Sequence, residues 1–204
     1  MLIISFEGID GSGKTTQINL LKKKLEADGV DVRLFREPGG TELSEVIRGM
    51  LLNPEIEINS VTELLLFSSA RSQLIAEKVE PHMGSEGVII LDRFFDSTVA
   101  YQGYGRGSVS LEQIYQLNKI ASHGITPDIT FYLRVDLETA EKRRSNFLKD
   151  RMERAGNDFY QKVILGFDEI SKSEPRFTVI DASLEIEYIH KKILDQVTLK
   201  LKKV

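Results

Sequence analysis

Leu2-Ile3-Ile4-Ser5-Phe6-Glu7-Gly8-Ile9-Asp10-Gly11-Ser12-Gly13-Lys14-Thr15-Thr16 decides the fold class of this chain. An apolar strand, Leu2 to Phe6, runs into a glycine-punctuated turn, and helical periodicity opens near Lys14. Gly8 to Thr15 matches the phosphate-loop pattern G-x-x-x-x-G-K-[ST] in the strand–turn–helix context that its mechanism needs. Glycines let backbone N–H groups turn toward phosphate oxygens without a Cβ in the way. The helix N-terminus adds a dipole that favours an anion. The ATP-binding set read here is Gly8, Ile9, Asp10, Gly11, Ser12, Gly13, Lys14, Thr15 and Thr16. Lys14 is expected to reach the β- and γ-phosphates and the Thr15 hydroxyl to ligate Mg²⁺. The plain alternative is a glycine turn feeding an amphipathic helix.

Further apolar runs read as strands: Val32–Phe35, Val88–Leu91, Ile129–Val135 and Phe177–Ile180. Helical periodicity covers Lys14–Ala27, Glu42–Leu52, Val61–Val79, Leu111–Ser122, Leu137–Phe147, Phe159–Ser171 and Leu184–Leu201. Strands alternating with helices predict an α/β protein: a three-layer P-loop fold whose five-stranded parallel sheet carries helices on both faces. Ligands of such sheets sit beyond the carboxyl ends of the strands, which is where the polar motifs fall. The length, 204 residues, suits a single domain over 1–204. With 27 basic and 31 acidic side chains, no uniformly basic surface exists to neutralise a nucleic-acid backbone. The absence of cysteine excludes disulfides, thiolate catalysis and cysteine-ligated zinc. No apolar run is long enough to span a membrane and no charged leader precedes the first strand, so a cytoplasmic protein is expected.

Asp92-Arg93 follows the third strand. A carboxylate there suits Mg²⁺ or its water shell, and the adjacent guanidinium suits an anion. A surface ion pair is the bland reading. Glu37-Pro38-Gly39-Gly40-Thr41 follows the second strand; it is either turn punctuation or a loop that carries Glu37 into a cleft and launches the helix bearing Arg48. Phe67 and Arg71 are four residues apart, hence on one helix face. An aromatic ring beside a planar guanidinium suits a nucleobase, one stacking and the other donating to its edge. Ser97, Tyr101 and Gln102 fit an opposing wall. Gly103-Tyr-Gly-Arg-Gly107 reads as a mobile loop, and the polar stretch Ser145 to Asn157, with Lys149, Arg151 and Arg154, reads as a lid. No Asn-Lys-x-Asp segment reads a guanine base: Asn118-Lys119 continues into Ile120-Ala121.

Together these segments resemble the bacterial thymidylate kinases of the nucleoside monophosphate kinase group. The carriers are Phe6 to Thr16, Arg36-Glu-Pro-Gly-Gly-Thr41, Phe67-Ser-Ser-Ala-Arg71, Asp92-Arg93, Ser97-Thr-Val-Ala-Tyr-Gln-Gly103, Pro127-Asp128 and Asp150-Arg-Met-Glu153. They stand in the family's order over about residues 5 to 155. The resemblance implies ATP-dependent phosphorylation of dTMP with Mg²⁺, on the route to dTTP. It implies that Phe67 stacks on thymine and that Arg71 donates to its edge with Ser97 and Gln102 nearby. Tyr101 would lie beneath the deoxyribose and leave no room for a 2′-hydroxyl. Arg48 and Arg93 would clamp the acceptor phosphate, with Asp10 beside them, and Arg143 would pack on adenine. A lid at about 144–156 would supply a catalytic cation, Arg144, Lys149 or Arg151, because the loop Asp10-Gly-Ser carries none. A homodimer is also implied. Arg134 stands where the family commonly has aspartate, and is expected away from the reacting phosphates. A deoxynucleoside kinase, with Glu37 as base, is the alternative enzyme; a nucleotide-dependent scaffold is the alternative without catalysis.

Overall fold

The computed structural model describes residues 1–144 and 151–202. Its centre is a five-stranded, all-parallel sheet in the order β2-β3-β1-β4-β5, built from β1 (Leu2–Glu7), β2 (Val32–Arg36), β3 (Val88–Asp92), β4 (Ile129–Arg134) and β5 (Phe177–Asp181). The three central strands are nearly continuous in apolar residues because both of their faces are covered. Leu2, Ile4 and Phe6 of β1 pack with Ile18, Leu21 and Leu25 of α1 (Lys14–Ala27). Ile3, pointing the other way, joins Ile75 and Val79, which continue α3 (Ser60–Leu74) as a π-helical turn. Side chains alternate across a strand, so one apolar run feeds two cores.

α2 (Glu42–Leu52) and α3 pack together through Ile47, Leu51 and Ala70. Each has a side-chain cap: Thr41 accepts from the Ser44 N–H, and Asn59 from the Val61 N–H. α1 has none, which leaves its first N–H groups available to a ligand. The remaining helices are α4 (Phe95–Thr98), α5 (Leu111–Ala121), α6 (Leu137–Arg144), α7 (Asn157–Ser173) and α8 (Ile186–Leu201).

The expected elements recur with small shifts at their ends. One segment differs outright. Val99–Gly105 continues α4 as a π-helix, with Gly103 buried, where a mobile loop is expected from three glycines in five residues. Those glycines allow close packing instead. A Cβ on Gly103 would meet Leu111 at 2.8 Å, and one on Gly105 would meet the Phe159 ring of α7 at 2.6 Å. Of the expected lid, residues 145–150, including Lys149, lie outside the described residues, as does the end of the helix expected to reach Phe147.

Candidate active site

β1, β2 and β3 end side by side, and the chain beyond each end folds over the same rim. Beyond β1, the turn Gly8–Gly13 closes on α1. Gly8 and Gly11 have no room for a side chain: a Cβ would stand 2.7 Å from the Leu133 carbonyl oxygen and 2.4 Å from that of Ala140. Gly13, in the left-handed region at φ 91°, faces open space. The loop is thus a backbone cradle fixed from behind and open in front. Lys14 is buried and its ammonium donates to the carbonyls of Gly8 and Ile9 at 2.9 and 3.0 Å. Burial first, then the nearby Arg93 charge, lowers its pKa to about 8. The buried Ser12 hydroxyl has no hydrogen-bond partner among the described residues. A held-back lysine and an unpaired hydroxyl in an open cradle match what a polyphosphate supplies. Arg143 reaches this loop from α6, donating to the Gly11 carbonyl at 3.4 Å and to that of Ala182 at 2.9 Å.

Beyond β3, Arg93 turns into the left-handed region at φ 69°, which is uncommon for a residue with a side chain. Its own N–H bonds the Phe6 carbonyl, and the following N–H, of Phe94, donates to the Glu7 carboxylate at 2.8 Å. Ser97 donates to the other Glu7 oxygen at 2.6 Å. Burial, then Asp96, pushes the Glu7 carboxyl up to about 8. The turn aims Arg93 across the rim, where it donates to Asp10 at 2.7 Å and to the Gly8 carbonyl at 2.8 Å, above the Tyr101 ring at 5.2 Å. Burial opposes the Arg93 charge, but Asp10, Tyr101, Asp92 and Glu7 outweigh it, and the guanidinium stays charged.

A cavity of about 280 Å³ opens beside this point. It brings together nine residues expected on the sequence: Asp10, Glu37, Arg48, Phe67, Arg71, Arg93, Ser97, Tyr101 and Gln102. Arg71 is 2% exposed and paired. Its Nε donates to Glu37 at 2.7 Å, Nη1 to Asn118 at 3.1 Å and Nη2 to Thr98 at 2.9 Å. Three of its five N–H donors are engaged among the described residues, so two remain for the cavity. Burial raises the Glu37 carboxyl pKa, with Arg71 pulling against it. The free oxygen of Glu37 and the Tyr101 hydroxyl are buried without a hydrogen bond of good geometry among the described residues. Arg48 donates to the Pro38 carbonyl at 2.8 Å.

Three expected residues lie elsewhere. Thr15 and Asp92 sit on the loop side, Thr15 exposed in the first turn of α1 and Asp92 at the end of β3, near enough to Lys14 to raise its pKa. The third is Arg151. It lines no part of the cavity; Nη1 meets Glu63 at 2.6 Å and Nε donates to the Leu51 carbonyl at 2.7 Å. A buried carboxylate thus holds this guanidinium. Arg134 pairs with Asp168 at 2.9 Å on the exposed end of β4.

Sequence reasoning missed Thr98, Met152 and Phe94 on the cavity wall, and Glu7, Glu63 and Asn118 behind it. Glu63 left a signal: it precedes Phe67 by four residues, as Phe67 precedes Arg71, so all three share one stripe of α3. Glu7 closes a mostly apolar strand, which is also anomalous. Asn118 lies far along the chain and left none.

The thymidylate kinase family model matches residues 6–193. A thymidylate kinase of Prosthecochloris aestuarii is 44% identical over 96% of this chain and 92% of its own length. One of Chlorobaculum parvum is 47% identical over 95% of this chain and 94% of its own length. The crystal structure of thymidylate kinase from Ehrlichia chaffeensis superposes with a TM-score of 0.76 at 36% identity, covering 96% of this chain and 98% of that one. With a phosphate cradle and an arginine-lined acceptor cavity meeting at Asp10 and Arg93, the chain belongs to the thymidylate kinase family.

Proposed function

We propose that the chain is a dTMP kinase, transferring the γ-phosphoryl group of ATP to a phosphate oxygen of dTMP to give dTDP and ADP, a step toward dTTP. The observation that carries this reading is the shared rim. Arg93 bonds both the phosphate loop and Asp10 while it lines the acceptor cavity, so donor and acceptor phosphates would meet at one guanidinium. A deoxynucleoside kinase would leave Arg48 and Arg93 without an acceptor phosphate.

The acceptor phosphate is already anionic at neutral pH, so the protein's task is alignment and charge neutralisation. Lys14 and the α1 N-terminus take the donor phosphates, and Arg143 packs on adenine. Arg48 and Arg93 hold the acceptor phosphate, with Asp10 orienting Arg93. Phe67 offers its face to the base, and the spare donors of Arg71, with Ser97 and Gln102, meet its edge. Mg²⁺ would neutralise charge between the donor phosphates, held through Thr15 and the water shell near Asp92. Among the described residues no group of three acidic, cysteine or histidine side chains forms a closed metal site. That donor set suits an ion that keeps its water and takes phosphate oxygens. The chain acts as one domain, residues 1–204, with 144–156 as a lid that excludes water.

A panel of nucleoside monophosphates with ATP and Mg²⁺, followed by ADP release, tests the reaction. dTMP is expected to lead and thymidine to give nothing; thymidine-dependent release would move the reading to a nucleoside kinase. On the same panel Tyr101→Ala should improve ribonucleotides relative to dTMP by about tenfold, since one group's misfit is worth about 1–3 kcal/mol. If UMP stays as poor as before, the ring is not the barrier to the 2′-hydroxyl.

Leu43, Val46 and Met50 of α2 and Val61 and Leu65 of α3 are exposed on adjacent helices. Apolar side chains exposed on two adjacent helices suit a second copy of the chain in a homodimer. Sedimentation at micromolar concentration should give a dimer that Leu65→Glu dissociates; a monomeric parent protein would refute it. Among the described residues no helix is long and apolar enough to cross a membrane. Because both substrates are charged nucleotides, we assign the reaction to the cytoplasm.

A further inference from the structure

Glu63 lies in the first turn of α3 with 1% of its surface exposed, and it does not line the acceptor cavity. Its two oxygens nonetheless gather three side chains from other parts of the chain. The Gln102 amide N–H donates to Oε1 at 2.9 Å. Arg106 donates to Oε1 and Oε2 at 3.2 and 3.3 Å, and Arg151 Nη1 meets Oε2 at 2.6 Å. Burial alone would push the carboxyl up. The hydrogen bonds from Gln102, Arg106 and Arg151 outweigh it and hold the pKa below the usual carboxylate range.

An ionised carboxylate only accepts hydrogen bonds. The amide nitrogen of Gln102 must therefore face Glu63, which leaves the amide oxygen, beside the nitrogen's second N–H, for the cavity that Gln102 lines. Without that partner an amide can turn either end toward a ligand. The orientation matters chemically. Thymine and uracil carry an N–H at ring position three, whereas cytosine has a lone pair there. An acceptor oxygen on the wall pairs with the first and opposes the second. The same carboxylate fixes a second piece of wall. Arg151, tied to Glu63, also donates its backbone N–H to the Leu52 carbonyl at 3.2 Å, and its neighbour Met152 lines the cavity. Arg106, the third partner, lies over the Phe159 ring at 4.5 Å and so anchors the cluster to α7.

We propose that Glu63 is a positioning residue for base selection, holding the Gln102 amide with its oxygen toward the acceptor cavity and, through Arg151, keeping Met152 against the same cavity. This rests on the dTMP kinase reading. The test is steady-state kinetics with dTMP, dUMP and dCMP on the parent protein, Glu63→Gln, Glu63→Asp, Gln102→Ala and the Glu63→Gln/Gln102→Ala double variant. Glu63→Gln should raise the KM for dTMP about tenfold while kcat and the KM for ATP change by less than about twofold. Its preference for dTMP over dCMP in kcat/KM should fall by about tenfold, because an amide partner lets Gln102 turn over. Glu63→Asp keeps an acceptor-only partner and should retain the preference. With Gln102 already replaced by alanine, Glu63→Gln should not change the preference further.

An unchanged preference in Glu63→Gln, or an equal further loss without the Gln102 amide, would overturn the proposal. Should Glu63→Gln fail to fold, Gln102→Ala decides: a parent-like preference there overturns it, and a lost one supports it. A parent protein that releases no ADP with dTMP would instead defeat the kinase reading itself.

Discussion

Lys14→Ala is expected to lower kcat by about 10³-fold with the fold intact, a loss of about 4 kcal/mol of transition-state stabilisation. The fold should survive because, among the described residues, the ammonium bonds two carbonyls of its own loop, those of Gly8 and Ile9. The rate should not, because the loop carries no other cation to offset two anions brought into contact. Circular dichroism and single-turnover transfer measure the two halves; a variant that turns over normally sinks the cradle role of Lys14. The same lysine predicts a proton effect. Its pKa stands at about 8 in the structure against an ordinary 10.5. Between those values an unfolded chain keeps a proton that the folded one has released, so this group makes stability rise with pH across that window. Donor phosphates favour the charged form, and near pH 9 ATP binding should take up close to one proton. Calorimetry in buffers of different ionisation enthalpy reads that uptake, and Lys14→Ala should abolish it.

Arg71→Ala is the second large effect. It strands Glu37 as a buried carboxylate without its ion-pair partner, and Arg71 itself is 2% exposed. Breaking a buried pair in this way costs about 3–5 kcal/mol, a fall in Tm of about 10 °C for a chain of this size. The loss has a pH signature. Burial already raises the Glu37 pKa against the pull of Arg71, and removing Arg71 raises it further. Folded Glu37 then holds a proton that the unfolded chain gives up above its ordinary value of 4.5, so stability falls as pH rises through that range. The variant should lose less at pH 5 than at pH 8. Glu37→Gln added to Arg71→Ala should recover part of the stability and flatten the pH dependence while dTMP binding stays weak. If the double variant regains binding as well, Arg71 serves only as a partner for Glu37.

Much of the site was legible as spacing. The stretch Gly8 to Thr15 declares its own chemistry, and Phe67 with Arg71 declares a shared helix face, because a loop and a helix are local objects. Arg151 shows where that reading stops. Its charge and its place in an arginine-bearing polar stretch suit a free cation, yet its partner Glu63 lies far away in sequence, on α3. The glycines at 103, 105 and 107 show the same limit. Composition reads them as slack, whereas side chains of α5 and α7 pack against Gly103 and Gly105 too closely to admit a Cβ.

The sequence by itself determined the alternation of strands and helices and the phosphate loop, since periodicity and turn chemistry act over a few neighbouring residues, and its motifs named nine of the residues that line the acceptor cavity while missing Thr98, Met152 and Phe94. Only the tertiary structure decided which charges neutralise each other: Glu37 with Arg71, Asp10 with Arg93, and Glu63 with Arg106 and Arg151. Those pairings depend on which strand ends and helix faces meet in space, and for Glu37, Arg71 and Glu63 burial then makes the partner indispensable.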